Sequence, residues 1–292
     1  MTVFTVSPVV LDIPGRPVDL RLKVSAPTEG TALPIILLSH GQGHSNHLSS
    51  LNGYAPLADY WAEEGFVVIQ PTHLSSRTLS LPDAPGAPMF WRERAEDMSH
   101  IIDRLDEIEK AVPQLQNRLD RTKIAVAGHS MGGHTASLLL GMKAENESFR
   151  DERIKAGVLL GSTGRGEGLT DVVKENYAFM LTSDFTDMTT PALVVAGDKD
   201  ASEHLTVNGP EWHMDPFHLA PGPKELLILE GGEHGLGGVS GYDVAETTDE
   251  SPERLAVVQR LTTAYLRSQL NGTGDWQEEA LVGVGFGVHS RP

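Results

Sequence analysis

The apolar and polar positions of the chain follow two different periods. In Val18–Val24 every second residue is apolar, and Val3–Val10 has a similar pattern, which is typical of half-buried antiparallel strands. Leu33–Leu38 is a continuous apolar run and predicts a strand that is buried on both faces. The beginning of the chain therefore predicts two antiparallel strands followed by a fully buried one.

Predicted strands and helices alternate through the rest of the chain. The further predicted strands are Phe66–Ile69, Lys123–Ala127, Ile154–Leu160, Ala192–Ala196 and Glu225–Leu229. The predicted helices are Gly53–Glu64, Arg92–Asp120 with a break or kink at Pro113, His129–Met142 and Glu253–Leu270. This alternation predicts an α/β fold with a mostly parallel central sheet, antiparallel N-terminal strands and helices on both faces.

We expect residues 1–292 to form one domain, because a chain of this length can bury a full core. Two segments lack a clear period. Thr72–Phe90 is rich in Pro, Gly and Ser and predicts a long loop. The tail, residues 272–292, has Gly283, Gly285 and Gly287 between apolar residues. The tail is compatible with an extra strand, with docking on a neighbouring chain or with a flexible segment.

The sharpest chemical signal is Gly128-His-Ser-Met-Gly132, which matches the pattern G-x-S-x-G. It directly follows a predicted buried strand and directly precedes a helix of small residues. That context is the strand–turn–helix of a nucleophile elbow, in which a serine projects above the sheet and glycines keep bulky side chains out of the bend. The alternative is a plain strand–helix turn. We expect Ser130 to be a nucleophile.

With these residues the chain resembles the α/β-hydrolase family over nearly its whole length. His40-Gly41-Gln42-Gly43 follows a buried strand and is similar to the family's oxyanion loop. The resemblance implies that the backbone N–H groups of Gln42 and Met131 bind the oxyanion. It is nearest to the group of platelet-activating-factor acetylhydrolases, chlorophyllase-like proteins and cutinase-like polyester hydrolases. About thirty residues separate Leu160 from Thr190, which implies the absence of a large cap domain.

In this family the chain order is serine, acid, histidine. The resemblance favours Asp200 as the acid, at the end of a predicted strand and turn, while Asp198 is the alternative and can instead shape the turn. His234 follows the next predicted strand and resembles the catalytic base. Three other histidines compete with it and have a simpler interpretation as surface or hydrogen-bonded residues: His204, His213 and His218. His129 lies beside the nucleophile and is not expected to be the base, and His289 in the tail is a weak outsider.

Composition excludes several functions. The chain has 40 Asp+Glu against 23 Lys+Arg, a net charge of −17, and no cysteine. We therefore expect no nucleic-acid partner and no cysteine-based chemistry or metal centre. His40, His44 and His47 match no common zinc pattern, so we expect no metal and no cofactor. No apolar run is long enough to span a bilayer, and no secretory signal is evident, so we expect a cytoplasmic protein unless processing removed a signal.

The resemblance implies an open substrate site walled by Thr72–Trp91 and Gly161–Thr189. Within and near these segments we expect five aromatic residues to bind substrate: Phe90, Trp91, Phe179, Trp212 and Phe217. The expected function is hydrolysis of a small-molecule or polymeric carboxylic ester through a Ser130–His234–Asp200 triad. The alternatives are amide hydrolysis, acyl transfer or a lyase reaction at the same triad, or a binding protein without activity. The oligomeric state is left open.

Overall fold

Eleven strands and eight α-helices follow one another in the computed structural model, which describes residues 1–274, 276–280 and 285–291. The strands are β1 Val3–Leu11, β2 Leu20–Pro27, β3 Leu33–Ser39, β4 Val67–Pro71, β5 Leu119–His129, β6 Lys143–Ala144, β7 Glu147–Ser148, β8 Ile154–Leu160, β9 Ala192–Gly197, β10 Lys224–Leu229 and β11 Phe286–Arg291. The α-helices are α1 Ala55–Glu63, α2 Trp91–Asp103, α3 Leu105–Ala111, α4 Met131–Leu140, α5 Asp171–Asn176, α6 Asp215–Leu219, α7 Pro252–Asn271 and α8 Trp276–Ala280. Short 3-10 helices cover Arg77–Leu79, Pro113–Leu115, Ala178–Thr182 and Gly209–Met214.

Nine of these strands form one sheet in the order β1-β2-β4-β3-β5-β8-β9-β10-β11. The pairs β1/β2, β2/β4 and β10/β11 are antiparallel, and the neighbours from β4 through β3, β5, β8 and β9 to β10 are parallel. The predicted mostly parallel sheet with antiparallel N-terminal strands is therefore present. Because β3, β5, β8, β9 and β10 run in one direction, the loops after them emerge at one edge of the sheet.

The sheet buries both of its faces, which explains the unbroken apolar runs in its central strands. In β3, Ile35 and Leu37 join one hydrophobic cluster with residues of α2, α3 and α4. Their neighbours Ile36 and Leu38 join a second cluster with residues of α1 and α7. Successive residues of a strand thus serve opposite helix layers, as the period of two requires.

The prediction of one helix over Arg92–Asp120 is wrong in its extent. The structure divides it into α2 and α3, with a break at Arg104, whose N–H is shared between the carbonyls of His100 and Ile101. The predicted break at Pro113 is present as the start of a 3-10 helix. Beyond it the chain enters β5 at Leu119, four residues before the predicted strand.

The C-terminal tail contributes β11, which pairs antiparallel with β10 and covers that edge of the sheet. Of the three alternatives for the tail, the extra strand applies to Phe286–Arg291; residues 281–284 lie outside the described residues. None of the helices in the described ranges is both long enough and apolar enough to cross a membrane.

Candidate active site

Ser130 lies in the sharp turn between β5 and α4. Its backbone has φ 57° and ψ −120°, a conformation that a non-glycine residue adopts only under constraint. The Ser130 N–H donates to Leu160 O at the end of β8, at 2.9 Å. A Cβ on Gly128 would lie 2.0 Å from Gly132 O, and a Cβ on Gly132 would lie 2.0 Å from Ser39 O. The two glycines of the motif are therefore required by packing, and the turn has the geometry predicted for it.

His234 and Asp200 meet beside this turn. The His234 Nδ1–H donates to Asp200 Oδ2 at 2.7 Å, so Nε2 of the imidazole is the nitrogen left for a reacting group. The alternative acid, Asp198, does not contact His234. Its carboxylate accepts from the Gly231 N–H at 2.7 Å and so supports the loop that carries His234. The structure thus brings Asp200, and not Asp198, to the predicted base.

A second histidine contacts the same carboxylate. His213 Nε2 lies 3.1 Å from Asp200 Oδ2 and 3.1 Å from Ser202 Oγ, and its Nδ1 lies 2.7 Å from Ser162 O. Ser202 Oγ in turn donates to Asp200 Oδ1 at 2.7 Å. Both oxygens of Asp200 are thereby held. From the sequence, His213 is only a competitor of His234, and nothing there predicts its contact with Asp200.

These contacts set the ionisation of Asp200. Burial by itself would raise the pKa of this carboxyl group, but hydrogen bonds from His213 and His234 hold the pKa well below its usual range. Asp200 therefore carries a negative charge at neutral pH. Among the described residues, Asp200, His213 and His234 also form the one group of three whose donor atoms, within 4.8 Å of one another, are close enough to hold a metal ion. The expectation that no metal is used stays a prediction.

Ser130 and His234 line one cavity of about 750 Å³ at the carboxyl edge of the sheet. Asp200, His204 and Gln42 line the same cavity. Within the described chain no hydrogen bond joins the Ser130 hydroxyl to His234. Contacts of this kind are commonly long in unliganded hydrolases and tighten when substrate binds.

The oxyanion loop after β3 is held in a defined orientation. The backbone N–H of His73 donates to His40 Nε2 at 3.1 Å. The proton of the His40 ring is therefore on Nδ1, and Nδ1–H donates to Gly41 O at 2.7 Å. In a trans peptide the carbonyl and the following N–H point in opposite directions. Fixing Gly41 O therefore fixes the Gln42 N–H. Met131 begins α4, where the amide has no acceptor within the helix. Met131 directly follows Ser130 in the chain, and Gln42 lines both cavities that Ser130 lines.

A chain of buried hydrogen bonds joins the three loops of the site. The Gly41 N–H donates to Tyr54 Oη at 2.9 Å, so the hydroxyl proton of Tyr54 is directed to His129 Nδ1, also at 2.9 Å. His129 then carries its proton on Nε2 and donates it to His234 O at 2.8 Å. Burial raises the pKa of Tyr54 well above its ordinary value and lowers the pKa of His129 to about 3. Both groups are neutral at neutral pH, which keeps these proton positions fixed.

Beneath the oxyanion loop lies a buried arginine. The Arg94 guanidinium donates to His40 O, to Ser75 Oγ at 2.6 Å and to Thr135 Oγ1 at 3.0 Å. Burial lowers the pKa of Arg94 to about 9, so it still carries its charge at neutral pH. Arg94 thus ties the start of the oxyanion loop to the loop after β4 and to α4.

Asp97, one turn further along α2, anchors the same region. It accepts from His73 Nδ1 at 2.9 Å and from Arg16 Nε at 2.9 Å. Arg94 and Asp97 lie among the apolar positions of the amphipathic helix α2. Charged residues at buried positions indicate buried polar partners, so this part of the sequence did contain a signal for the network. No comparable signal marked Tyr54, which the pattern presented only as part of an apolar helix face.

A second cavity, of about 370 Å³, also reaches Ser130. Its lining includes Met131, Gln42 and side chains from both segments that were predicted to wall the site: Arg77, Pro88, Met89, Thr163, Tyr177 and Met180. The two segments therefore contribute as expected, although through other residues than those chosen.

The five aromatic residues predicted to bind substrate are absent from the linings of these two cavities. All five are buried. Four of them belong to the hydrophobic cluster on the α2 side of the sheet: Trp91, Phe179, Trp212 and Phe217. Phe90 lines a separate cavity of about 300 Å³ whose lining does not include Ser130. Trp91 stacks on Phe179 with ring centroids 5.5 Å apart, and the Trp212 indole donates to Arg165 O at 2.8 Å. Their role in substrate binding stays a prediction.

Comparison with known proteins gives a consistent result. A family model described as "Alpha/beta hydrolase family" matches residues 35–221. The chain is 25% identical over 211 residues to cutinase est2 of Thermobifida alba. The matched region covers 71% of this chain and 55% of that protein. It is 26% identical over 166 residues to the platelet-activating factor acetylhydrolase of Cavia porcellus, covering 45% of this chain and 35% of that protein. The chain thus spans about half or less of the length of these curated relatives.

Proposed function

Because the chain belongs to the alpha/beta hydrolase family, we propose that it hydrolyses carboxylic esters through an acyl-enzyme intermediate on Ser130. The observation that carries this proposal is the meeting of Ser130, His234 and the ionised Asp200 at one edge of the sheet, with Ser130 and His234 in the same cavity. The names of the relatives, cutinase and acetylhydrolase, favour esters over other acyl compounds.

The reaction uses Ser130, His234, Asp200 and two backbone N–H groups. Ser130 Oγ attacks the ester carbonyl while His234 Nε2 takes the hydroxyl proton. Asp200 stays ionised, holds the Nδ1–H and stabilises the imidazolium that forms. The N–H groups of Gln42 and Met131 donate to the oxyanion of the tetrahedral intermediate.

The intermediate then collapses as the bond to the alcohol oxygen breaks. His234 gives its proton to that oxygen, and the alcohol leaves. A water molecule, deprotonated by His234, attacks the acyl-enzyme and releases the carboxylic acid together with the restored Ser130 hydroxyl. The sum is one ester and one water giving one acid and one alcohol, and no step requires a further reactant.

The first experiment measures initial rates with p-nitrophenyl esters of increasing acyl length for the wild type, for Ser130→Ala and for Ser99→Ala. We expect Ser130→Ala to lose at least about 10³-fold in kcat. Ser99, on α2 with its hydroxyl on Asp151, is the matched control and should retain activity. A fluorophosphonate adduct on Ser130 provides the second measurement. Ester hydrolysis that survives in Ser130→Ala would overturn the proposal.

A further inference from the structure

The two cavities that meet at Ser130 receive different halves of the substrate, if the proposed ester hydrolysis is accepted as the starting point. The oxygen of the leaving alcohol must take a proton from His234. His234 lines the larger cavity and is not part of the lining of the smaller one. The alcohol half therefore occupies the larger cavity, and the acyl half extends into the smaller one, beside Met131.

The two cavities differ in charge. The larger one is lined by four acidic residues against a single lysine: Asp200, Glu203, Glu233, Glu246 and Lys199. The lining of the smaller cavity contains no Asp and no Glu, and its one permanently charged side chain is Arg77. Burial lowers the pKa of His204, which lines both cavities, so this histidine adds no positive charge at neutral pH. The lining of the acyl cavity thus carries one permanent positive charge and no carboxylate, in a chain of net charge −17.

The Arg77 guanidinium has no hydrogen bond or ion pair within the described part of the chain. Arg77 is solvent-exposed, and Arg21 and Arg150 likewise lack a side-chain partner among the described residues, whereas other arginines of this acidic chain pair with carboxylates. Arg92, for example, pairs with both Glu145 and Glu147, and Arg165 pairs with Asp215. Arg77 also lines an adjoining cavity of about 300 Å³ whose lining does not include Ser130. It therefore stands where the acyl cavity continues away from the nucleophile.

A second polar group in the acyl cavity lacks a partner. The Thr163 hydroxyl is buried and has no hydrogen-bond partner in the structure, and only 4% of this residue is exposed. A buried hydroxyl without a partner carries a cost that a bound ligand removes by accepting its proton. Apolar side chains, among them Met89, Met180 and Leu205, form the walls around these two donors.

From these observations we propose that the acyl cavity binds an acyl group that ends in a carboxylate, so that the substrates include half-esters of dicarboxylic acids. Arg77 pairs with the terminal carboxylate, and the Thr163 hydroxyl donates to the acyl group. The net charge of the protein opposes long polyanions, but one carboxylate at the end of a short apolar chain meets only the local charge of Arg77.

The test compares monomethyl adipate with methyl hexanoate, two methyl esters with equal numbers of acyl carbons, by following acid release in a pH-stat. The measured quantity is the ratio of their kcat/KM values. We expect Arg77→Gln to lower this ratio about tenfold, the effect of losing one charge-assisted hydrogen bond. Two other arginines without side-chain partners in the described chain are controls, since Arg21→Gln and Arg150→Gln should leave the ratio unchanged. The wild-type ratio should also fall as salt is raised.

Calorimetric measurement of ester binding to Ser130→Ala tests this inference separately from the proposed function, because that variant can bind an ester without hydrolysing it. We expect monomethyl adipate to bind it more tightly than methyl hexanoate, and the added Arg77→Gln change to remove the difference. Ser130-dependent hydrolysis of methyl hexanoate with a ratio insensitive to Arg77 would overturn the inference alone. Arg77-dependent binding without any hydrolysis would overturn the proposed function and keep the subsite. Neither hydrolysis nor binding would overturn both.

Discussion

The two sides of the candidate site are stabilised in opposite ways. On the oxyanion side, Gly41, Tyr54 and His129 form a buried chain whose members are all neutral. On the acid–base side, the ionised Asp200 lies between His213 and the partly exposed His234. The first side holds protons in place, whereas the second is arranged so that a proton can arrive at His234 and leave again. In the proposed reaction, a fixed donor geometry and a mobile proton are needed on opposite sides of Ser130.

The two sides are also physically connected. His129 belongs to the turn that carries Ser130, and its Nε2–H donates to the backbone carbonyl of His234. The oxyanion side therefore restrains the backbone of the base while leaving its imidazole to Asp200. Substitutions on each side should consequently lower kcat to different extents, and this difference can be measured.

The largest effect is expected on the acid–base side. Asp200→Asn removes the charge that stabilises the imidazolium of His234 and allows the wrong tautomer of the ring. We expect kcat for p-nitrophenyl butyrate to fall about 10³- to 10⁴-fold, as in other triads that lose the acid. Asp198→Asn is the matched control, because Asp198 contacts the Gly231 N–H and not the imidazole. A greater loss in Asp198→Asn than in Asp200→Asn would exchange the roles of the two residues.

A smaller effect is expected on the oxyanion side. Tyr54→Phe leaves the Gly41 N–H and His129 Nδ1 without their shared partner, so the oxyanion loop loses one of its restraints. We expect kcat to fall about 100-fold, at the low end of the loss seen when an oxyanion donor is removed, while KM changes little. Affinity for a boronic acid, which mimics the tetrahedral intermediate, should fall in parallel with kcat.

Tyr60→Phe is the control for Tyr54→Phe, since Tyr60 lies on α1, which begins directly after Tyr54, and is only partly buried against the hydrophobic cluster to which Tyr54 belongs. It should change neither kcat nor inhibitor affinity. A uniform loss of stability in Tyr54→Phe, with unchanged kcat for the folded fraction, would show that the tyrosine acts only in packing. Comparing kcat with the free energy of unfolding distinguishes the two roles.

The sequence predicted the parts of the site that depend on local geometry. The elbow follows from Gly128 and Gly132, whose small size a tight turn requires, and the order of the strands brought His234 to the same edge of the sheet. Tyr54 and His213 could not be predicted in the same way. Their partners are distant in sequence, and a periodic pattern shows only that a residue is buried, not which polar atom it meets.

The aromatic residues illustrate the same limit from the other direction. Trp91 and Phe179 are large aromatic residues of the kind expected in a substrate wall. Such residues are equally typical of a hydrophobic core, where the structure places them. The cavity next to Ser130 is walled instead by residues such as Arg77 and Thr163 that have no distinctive pattern in the sequence. Segments were therefore predicted more successfully than individual side chains.

The smallest of the three effects concerns the free energy of unfolding in acid. The buried neutral histidines and the ionised carboxylate of Asp200 change it over different pH ranges. Burial lowers the pKa of both His129 and His134 to about 3, whereas a histidine in the unfolded chain has a pKa near 6.5. Below pH 6.5 the unfolded chain therefore binds protons that the folded chain does not, and the free energy of unfolding falls as the pH decreases. Each such histidine should cost about 2 kcal/mol between pH 6.5 and pH 5.

Asp200 changes stability in the same direction but over a lower pH range, because its pKa is also lower in the folded chain than in the unfolded chain. Its lowered pKa stabilises the fold above about pH 4, and this contribution is lost only at lower pH. His134 is the sharper probe of the histidines, because it lies on α4 against Phe179 and has no hydrogen-bond partner to lose in the described chain. Urea unfolding at pH 7, 6 and 5 should show a weaker pH dependence in His134→Leu than in the wild type, by about 2 kcal/mol at pH 5. Equal pH dependence in both proteins would mean that His134 is protonated in the folded chain, and the neutral state inferred for the buried histidines would then need to be abandoned for this one.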